Sequence, residues 1–148
     1  MFRRCAFDHI GGYTPLYYGG EDTLAQYEVE RAGWGILTRP DLHIYHYRRT
    51  SSAGGILRGM FRAGLEAGSL GYHPIFEMAR CFRRVPHHPF VLGSLTRLCG
   101  YLWWKMCRRK PLVKAETAAF IRRRQMGKLR RWALPRGRQA AAPLPENS

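Results

Sequence analysis

Glu21 and Asp22 are the residues whose type and spacing point most directly to chemistry. They are adjacent carboxylates that follow a Gly19-Gly20 pair. A second pair, Gly11-Gly12, comes before them with Tyr13 beside it, and Phe7-Asp8-His9-Ile10 leads in. A carboxylate set at a helix start by a glycine turn can take a proton from an attacking hydroxyl, which is the work of a general base. Adjacent acids also have an ordinary use, because negative charge complements the dipole at a helix N-terminus. On these residues alone both readings stand.

The elements around the pair follow from periodicity. A short helical piece before Gly11-Gly12 can cover one face with Phe2, Phe7 and Ile10, and Tyr13-Thr14-Pro15 cannot continue it. Residues 22–32 are predicted helical, with Leu24, Tyr27 and Arg31 on one face and Gly33 as the stop. Residues 34–47 are predicted extended, two short strands around Arg39-Pro40-Asp41, because Ile36, Leu42, Ile44 and Tyr45 favour strands. On such a strand His43 and His46 would point to opposite faces and could not readily share one metal ion.

Beyond residue 50 the pattern is helical. Gly55, Gly59, Ala63, Ala67 and Gly71 recur every four residues, a stripe of small side chains that permits close helix contact. Ile56, Met60 and Phe61 give an adjacent apolar strip. Pro74 suits the first position of a helix over 75–84 whose inner face would be Ile75, Met78, Ala79 and Phe82. Residues 89–107 are the most apolar, yet they contain Arg97 and fall short of the ~20 apolar residues a membrane span needs. There Tyr101, Trp103 and Trp104 beside Lys105, Arg108, Arg109 and Lys110 suit either an interfacial anchor or a buried amphipathic helix. Residues 115–132 are predicted to form a last helix with Ala118, Ile121, Gln125, Leu129 and Trp132 on one face. Its remaining faces are crowded with arginine and lysine, as in membrane-surface helices or in a solvated charged face. A Pro/Ala/Arg-rich tail from Pro135 is predicted to be disordered.

The 148 residues, 45% of them hydrophobic, suffice for one ordinary domain. Charge is unevenly spread. Residues 1–50 hold six Lys/Arg and six Asp/Glu, a net of zero, whereas residues 51–148 hold nineteen and four, a net of +15. Basic segments of this kind seek phosphate, on nucleic acid or on an anionic membrane surface. Cys5, Cys81, Cys99 and Cys107 form no C-x-x-C pair, so zinc knuckles are not expected and reduced thiols are. The opening Met1-Phe2-Arg3-Arg4 is not followed by the apolar run of a secretory leader. No phosphate-binding G-x-x-x-x-G-K and no nucleophile elbow occurs.

Taken as a unit, Met1–Thr50 reads F-R-R, F-D-x-I-G-G-Y, G-G-E-D, R-A-G-W and R-P-D-L-x-I-Y-H. This order resembles the second half of the catalytic domain of family 2 glycosyltransferases, which have the GT-A fold. The resemblance implies an α/β fold: a partial GT-A unit over residues 1–50, followed by a mostly helical, basic, membrane-associated extension over 51–132 and a disordered tail over 133–148. It implies an inverting transfer of sugar from a nucleotide-sugar donor to an envelope or lipid-linked glycan acceptor, at the cytoplasmic face of a bacterial inner membrane. Asp22 then corresponds to the base, and Glu21 helps to orient the acceptor or the base. Gly11, Gly12, Tyr13, Gly20, Arg31 and Trp34 shape the acceptor side, and His46 matches a histidine that approaches the metal or the donor diphosphate. The implied cofactor is a divalent cation, magnesium or manganese.

Departures accompany the resemblance. Leu24 stands where the family often has an acidic residue, and Glu28 where it commonly has arginine or lysine. No D-x-D, the family's metal-binding motif, occurs anywhere in the chain. The expectation is therefore a chain without the donor-binding half, inactive in transfer when alone. The alternatives are a non-catalytic membrane-surface protein and a basic nucleic-acid-binding protein. No helix-turn-helix, zinc finger or RNA-binding signature accompanies the charge, so no specific nucleic-acid partner is expected.

Overall fold

The computed structural model describes residues 2–37, 55–84, 90–107 and 109–133. Six helices run through them: α1 (Arg4–His9), α2 (Glu21–Arg31), α3 (Ile56–Ser69), α4 (Pro74–Arg84), α5 (Phe90–Met106) and α6 (Ala115–Ala133). Among the described residues there is no strand and no sheet, which corrects the expected α/β class to an all-helical one. The predicted strand pair fails at its start. Trp34 to Leu37 are irregular, with Ile36 and Leu37 exposed. A strand persists only where its backbone groups pair with a neighbour, and the described elements are all helices. His43, His46 and the Arg39-Pro40-Asp41 turn lie outside the described residues.

The helix ends follow the glycines. α1, α2 and α3 each stop in the same left-handed turn, at Gly11, Gly33 and Gly71. In the third, the amide of Gly71 donates to Gly68 O and that of Tyr72 to Ala67 O, each at 3.0 Å, which satisfies two carbonyls the helix leaves open. α6 closes the same end, where Arg122 Nε donates to Gly71 O at 2.9 Å. Pro74 opens α4 as its sequence position predicts. The buried Gln125 accepts a bond from the His73 amide at 2.9 Å, tying α6 to the start of α4.

The core is shared by residues from both ends of the chain: Leu16, Leu24 and Tyr27 pack with Ala67, Leu70, Tyr72, Phe76, Tyr101 and Ile121. Tyr101 donates from its hydroxyl to Tyr72 O at 2.8 Å, and burial pushes its pKa up to about 12. The apolar face of α6 is thus a core face, with Ala118, Ile121 and Gln125 buried.

α3 and α5 form the closest helix pair. A Cβ on Gly64 would lie 2.1 Å from Arg97 O and 2.7 Å from Tyr101 N, and one on Gly100 would lie 2.2 Å from Phe61 O. Backbones can approach this closely only where no side chain intervenes. The expected close contact is present, but its closest approach is at Gly64, outside the predicted stripe, of which only Ala67 and Gly71 are buried. Gly64, Ala67 and Gly68 are buried, whereas Gly55 is exposed and Gly59 and Ala63 are half-buried.

α4 is inverted relative to expectation. Ile75, Met78 and Phe82 are exposed, Phe82 at 80%, and the inner face is Phe76, Glu77 and Cys81. In α5 the inner residues are Gly93, Ser94, Arg97, Gly100, Tyr101 and Trp104. Val91, Leu92, Leu95, Leu102, Trp103 and Met106 face outward. The expected aromatic anchor is therefore split, since Tyr101 and Trp104 are core residues and only Trp103 is exposed. The cause is an ion pair. Glu77 is fully buried and accepts a bond from Arg97 Nε, itself almost fully buried, across the α4–α5 contact. Two charges can stay in an interior only when paired, so the pair fixes which side of each helix turns inward.

Candidate functional site

The candidate site begins with the chain between α1 and α2. Gly20 caps α2 at φ 95°, and its carbonyl accepts from the Leu24 amide at 2.8 Å. A side chain there would be strained by that φ and would also meet the Glu66 carboxyl, whose Cγ and Oε1 lie 2.9 Å from the ideal Cβ position. The loop ahead of Gly20 is clamped from two sides. Arg62 of α3 donates to Tyr17 O and Tyr18 O, each at 3.3 Å. The Tyr18 ring meets Trp104 of α5 edge-on, and Arg109 Nη1 donates to the Tyr18 hydroxyl at 2.8 Å.

Within this frame the two carboxylates separate in role. Glu21 turns back, and its Oε1 accepts from the Leu16 amide at 3.3 Å. Asp22 is exposed at the start of α2, and among the described residues no hydrogen bond or ion pair engages it. Gly11 and Gly12 close α1. Tyr13 is half-exposed and packs edge-on against Phe7, with Phe2 alongside. Trp34 is half-buried where the chain leaves α2, its amide bonded to Val29 O at 3.1 Å.

A cleft of about 570 Å³ opens on the neighbouring face of α2, lined by residues that include Gly12, Leu24, Glu28, Arg31, Val113 and Lys114. Of the expected acceptor-side residues, Gly12 and Arg31 meet here. Gly11, Tyr13, Gly20 and Trp34 do not line it, and neither carboxylate of the Glu21-Asp22 pair does. Arg31 bonds Glu28 at 3.1 Å and Glu116 at 3.4 Å, and the Thr117 hydroxyl donates to Glu28 Oε1 at 2.7 Å. The segment leading into α6, Leu112 to Lys114, builds one wall of the cleft, and Glu116 and Thr117 at the start of α6 hold Arg31 and Glu28 in place, contributions that residues 1–50 alone could not reveal. By helical rotation at ~100° per residue, Asp22 lies about 120° round α2 from the middle of the cleft face.

The described residues gather no ligand set for the implied divalent cation. Such an ion needs several converging oxygen or imidazole ligands. Among the described residues no three His, Cys, Asp or Glu side chains converge, and His46 lies outside them.

Other charged groups here escaped the sequence reading. Glu66 sits half-buried against Gly20, and burial raises its pKa above the ordinary 4.5 despite Arg97 and Arg80 nearby. A raised folded-state value means that the folded protein holds its proton more tightly than the unfolded chain. This contribution to stability is complete below the unfolded value and is lost as pH rises through the folded one. Glu66→Gln is accordingly expected to raise the urea midpoint at neutral pH, with the gain vanishing on acidification; an unchanged difference across pH would contradict this. The signal for Glu77 was its isolation, since no Asp or Glu occurs between it and Glu116.

Compared with protein-family models, with curated proteins and with solved structures, the chain matches none of them.

Proposed function

We propose that this chain forms the acceptor side of an inverting, nucleotide-sugar-dependent glycosyltransferase, with Asp22 as the general base. The observation that carries the reading is the division of labour in the acid pair. Glu21 is committed to the loop backbone at Leu16, and Asp22 stands exposed on a start of α2 that α3 and α5 hold in place. The ordered G-G-Y, G-G-E-D and R-A-G-W segments, with their resemblance to family 2 glycosyltransferases, supply the reaction class. In that reaction an acceptor hydroxyl attacks the anomeric carbon, its proton passes to an Asp22 carboxylate oxygen, and the donor's nucleoside diphosphate departs. The reacting hydroxyl is assigned to the exposed start of α2 beside Asp22, and the cleft with Arg31 and Lys114, which does not include Asp22, is given no part in the proton transfer. Sugar donor binding is assigned to another polypeptide segment, since this sequence has no D-x-D.

The test is transfer in the presence of a nucleotide-sugar-binding half, supplied as a separate chain or fused ahead of this one. Asp22→Asn is expected to lower the rate by about 10²–10⁴-fold, the usual worth of general-base catalysis. Its stability should shift by less than about 0.5 kcal/mol, as for an exposed side chain. An unchanged rate removes Asp22 from the role.

A further inference from the structure

We propose that the outer face of α5, together with the exposed ridge of α4, seats this protein on an anionic lipid bilayer. The outward-facing apolar residues of the two helices are the first observation. Val91, Leu92, Leu95, Leu102, Trp103 and Met106 form a continuous outward face on α5, opposite the small and polar residues that meet α3. On α4, packed beside it, Ile75, Met78 and Phe82 repeat the arrangement at i, i+3 and i+7. An apolar face of this extent on a folded surface marks an interaction site.

Charge identifies the occupant. Residues 78–115 contain no Asp or Glu. Exposed Arg83 and Arg84 end α4, exposed Lys105 lies in the last turn of α5, and exposed Arg109 and Lys110 follow it. Arg83 lies over the half-exposed Trp132 ring at 4.1 Å, which adds an aromatic with its cation beside α4. Anionic headgroups satisfy such cations while the apolar ridge enters the headgroup–acyl boundary. A second copy of the chain would instead bring like charges together. Among the described residues no helix is long and apolar enough to cross a membrane, so the contact lies in the plane of the interface.

This inference stands apart from sugar transfer, because binding to lipid needs neither Asp22 nor a donor. The test is cosedimentation of the full chain with phosphatidylcholine vesicles, with and without phosphatidylglycerol. Binding is expected with the anionic vesicles, weakening with added salt, and little with the neutral ones. Leu95→Glu/Trp103→Glu changes only exposed positions, and its fold is checked by circular dichroism. It should reduce partitioning by at least about tenfold, because charge placed on an apolar face opposes insertion. Phe82→Glu tests α4 separately and should also weaken binding. The proposal is overturned if the chain ignores anionic vesicles, binds neutral ones equally well, or binds unchanged with glutamates on α5. It is equally overturned if sedimentation velocity shows a dimer that those substitutions abolish while vesicle binding is absent.

Discussion

Arg97→Met is expected to destabilise the protein by about 3–5 kcal/mol, the usual result of removing one partner from a buried ion pair. The side chain that remains, Glu77, is fully buried, and its Oε2 finds no protein partner among the described residues even with Arg97 present. Without the guanidinium the carboxylate must either keep an uncompensated charge or bind a proton. With total stabilities of about 5–15 kcal/mol, this one change can unfold much of the population at room temperature. Glu77→Leu/Arg97→Met is expected to recover most of the loss, because apolar groups of similar size often replace a buried pair at little cost. Urea denaturation of the two single variants and the double variant measures the coupling. Near-additive losses would show that the two side chains do not depend on each other.

Gly64→Ala and Gly100→Ala carry the second large effect, each expected to cost about 3 kcal/mol. Both methyl groups would enter backbone of the facing helix, at 2.1 Å from Arg97 O and 2.2 Å from Phe61 O. Backbone in a packed helix cannot yield as a side-chain tip can, so the helices must separate along much of their length. The double variant should lose less than the sum, because the first substitution has already moved the helices apart. Gly127→Ala on α6 is the control. Nothing lies within 4 Å of its added methyl, so it should gain about 0.5–1 kcal/mol from helix propensity and lower chain entropy. If Gly64→Ala behaved like Gly127→Ala, the close α3–α5 packing would be refuted.

Local signals in the sequence led to the right helices, because they act over a few residues. Gly11, Gly33 and Gly71 end helices where the glycine rule puts them, Pro74 begins one, and the 3.6-residue period finds the buried Ala118–Ile121–Gln125 face of α6. The fold class was misread where strand propensity was taken over a segment whose described part, Trp34–Leu37, has no strand to pair with. β-Propensity reports fit to a neighbouring strand more than an intrinsic backbone preference. The inner faces of α4 and α5 were not legible either. Periodicity groups Ile75, Met78 and Phe82 on one side, but which side turns inward is decided by Glu77 meeting Arg97, twenty residues away in sequence. At the site, the glycine turn and helix start at Glu21-Asp22 could be read directly. The pressure of Glu66 on Gly20 and the bond from Thr117 of α6 to Glu28 required tertiary contacts across some 45 to 90 residues.

The central claim is that Asp22, and not Glu21, is the base. Its most direct measurement is the transfer rate of the unaltered chain beside Asp22→Asn and Glu21→Gln, each combined with the same nucleotide-sugar-binding half. A loss of about 10²–10⁴-fold is expected for Asp22→Asn. Glu21→Gln keeps an oxygen that can accept from the Leu16 amide, so its loss should be far smaller. Equal rates for the unaltered chain and Asp22→Asn, or a larger loss at Glu21 than at Asp22, would contradict it.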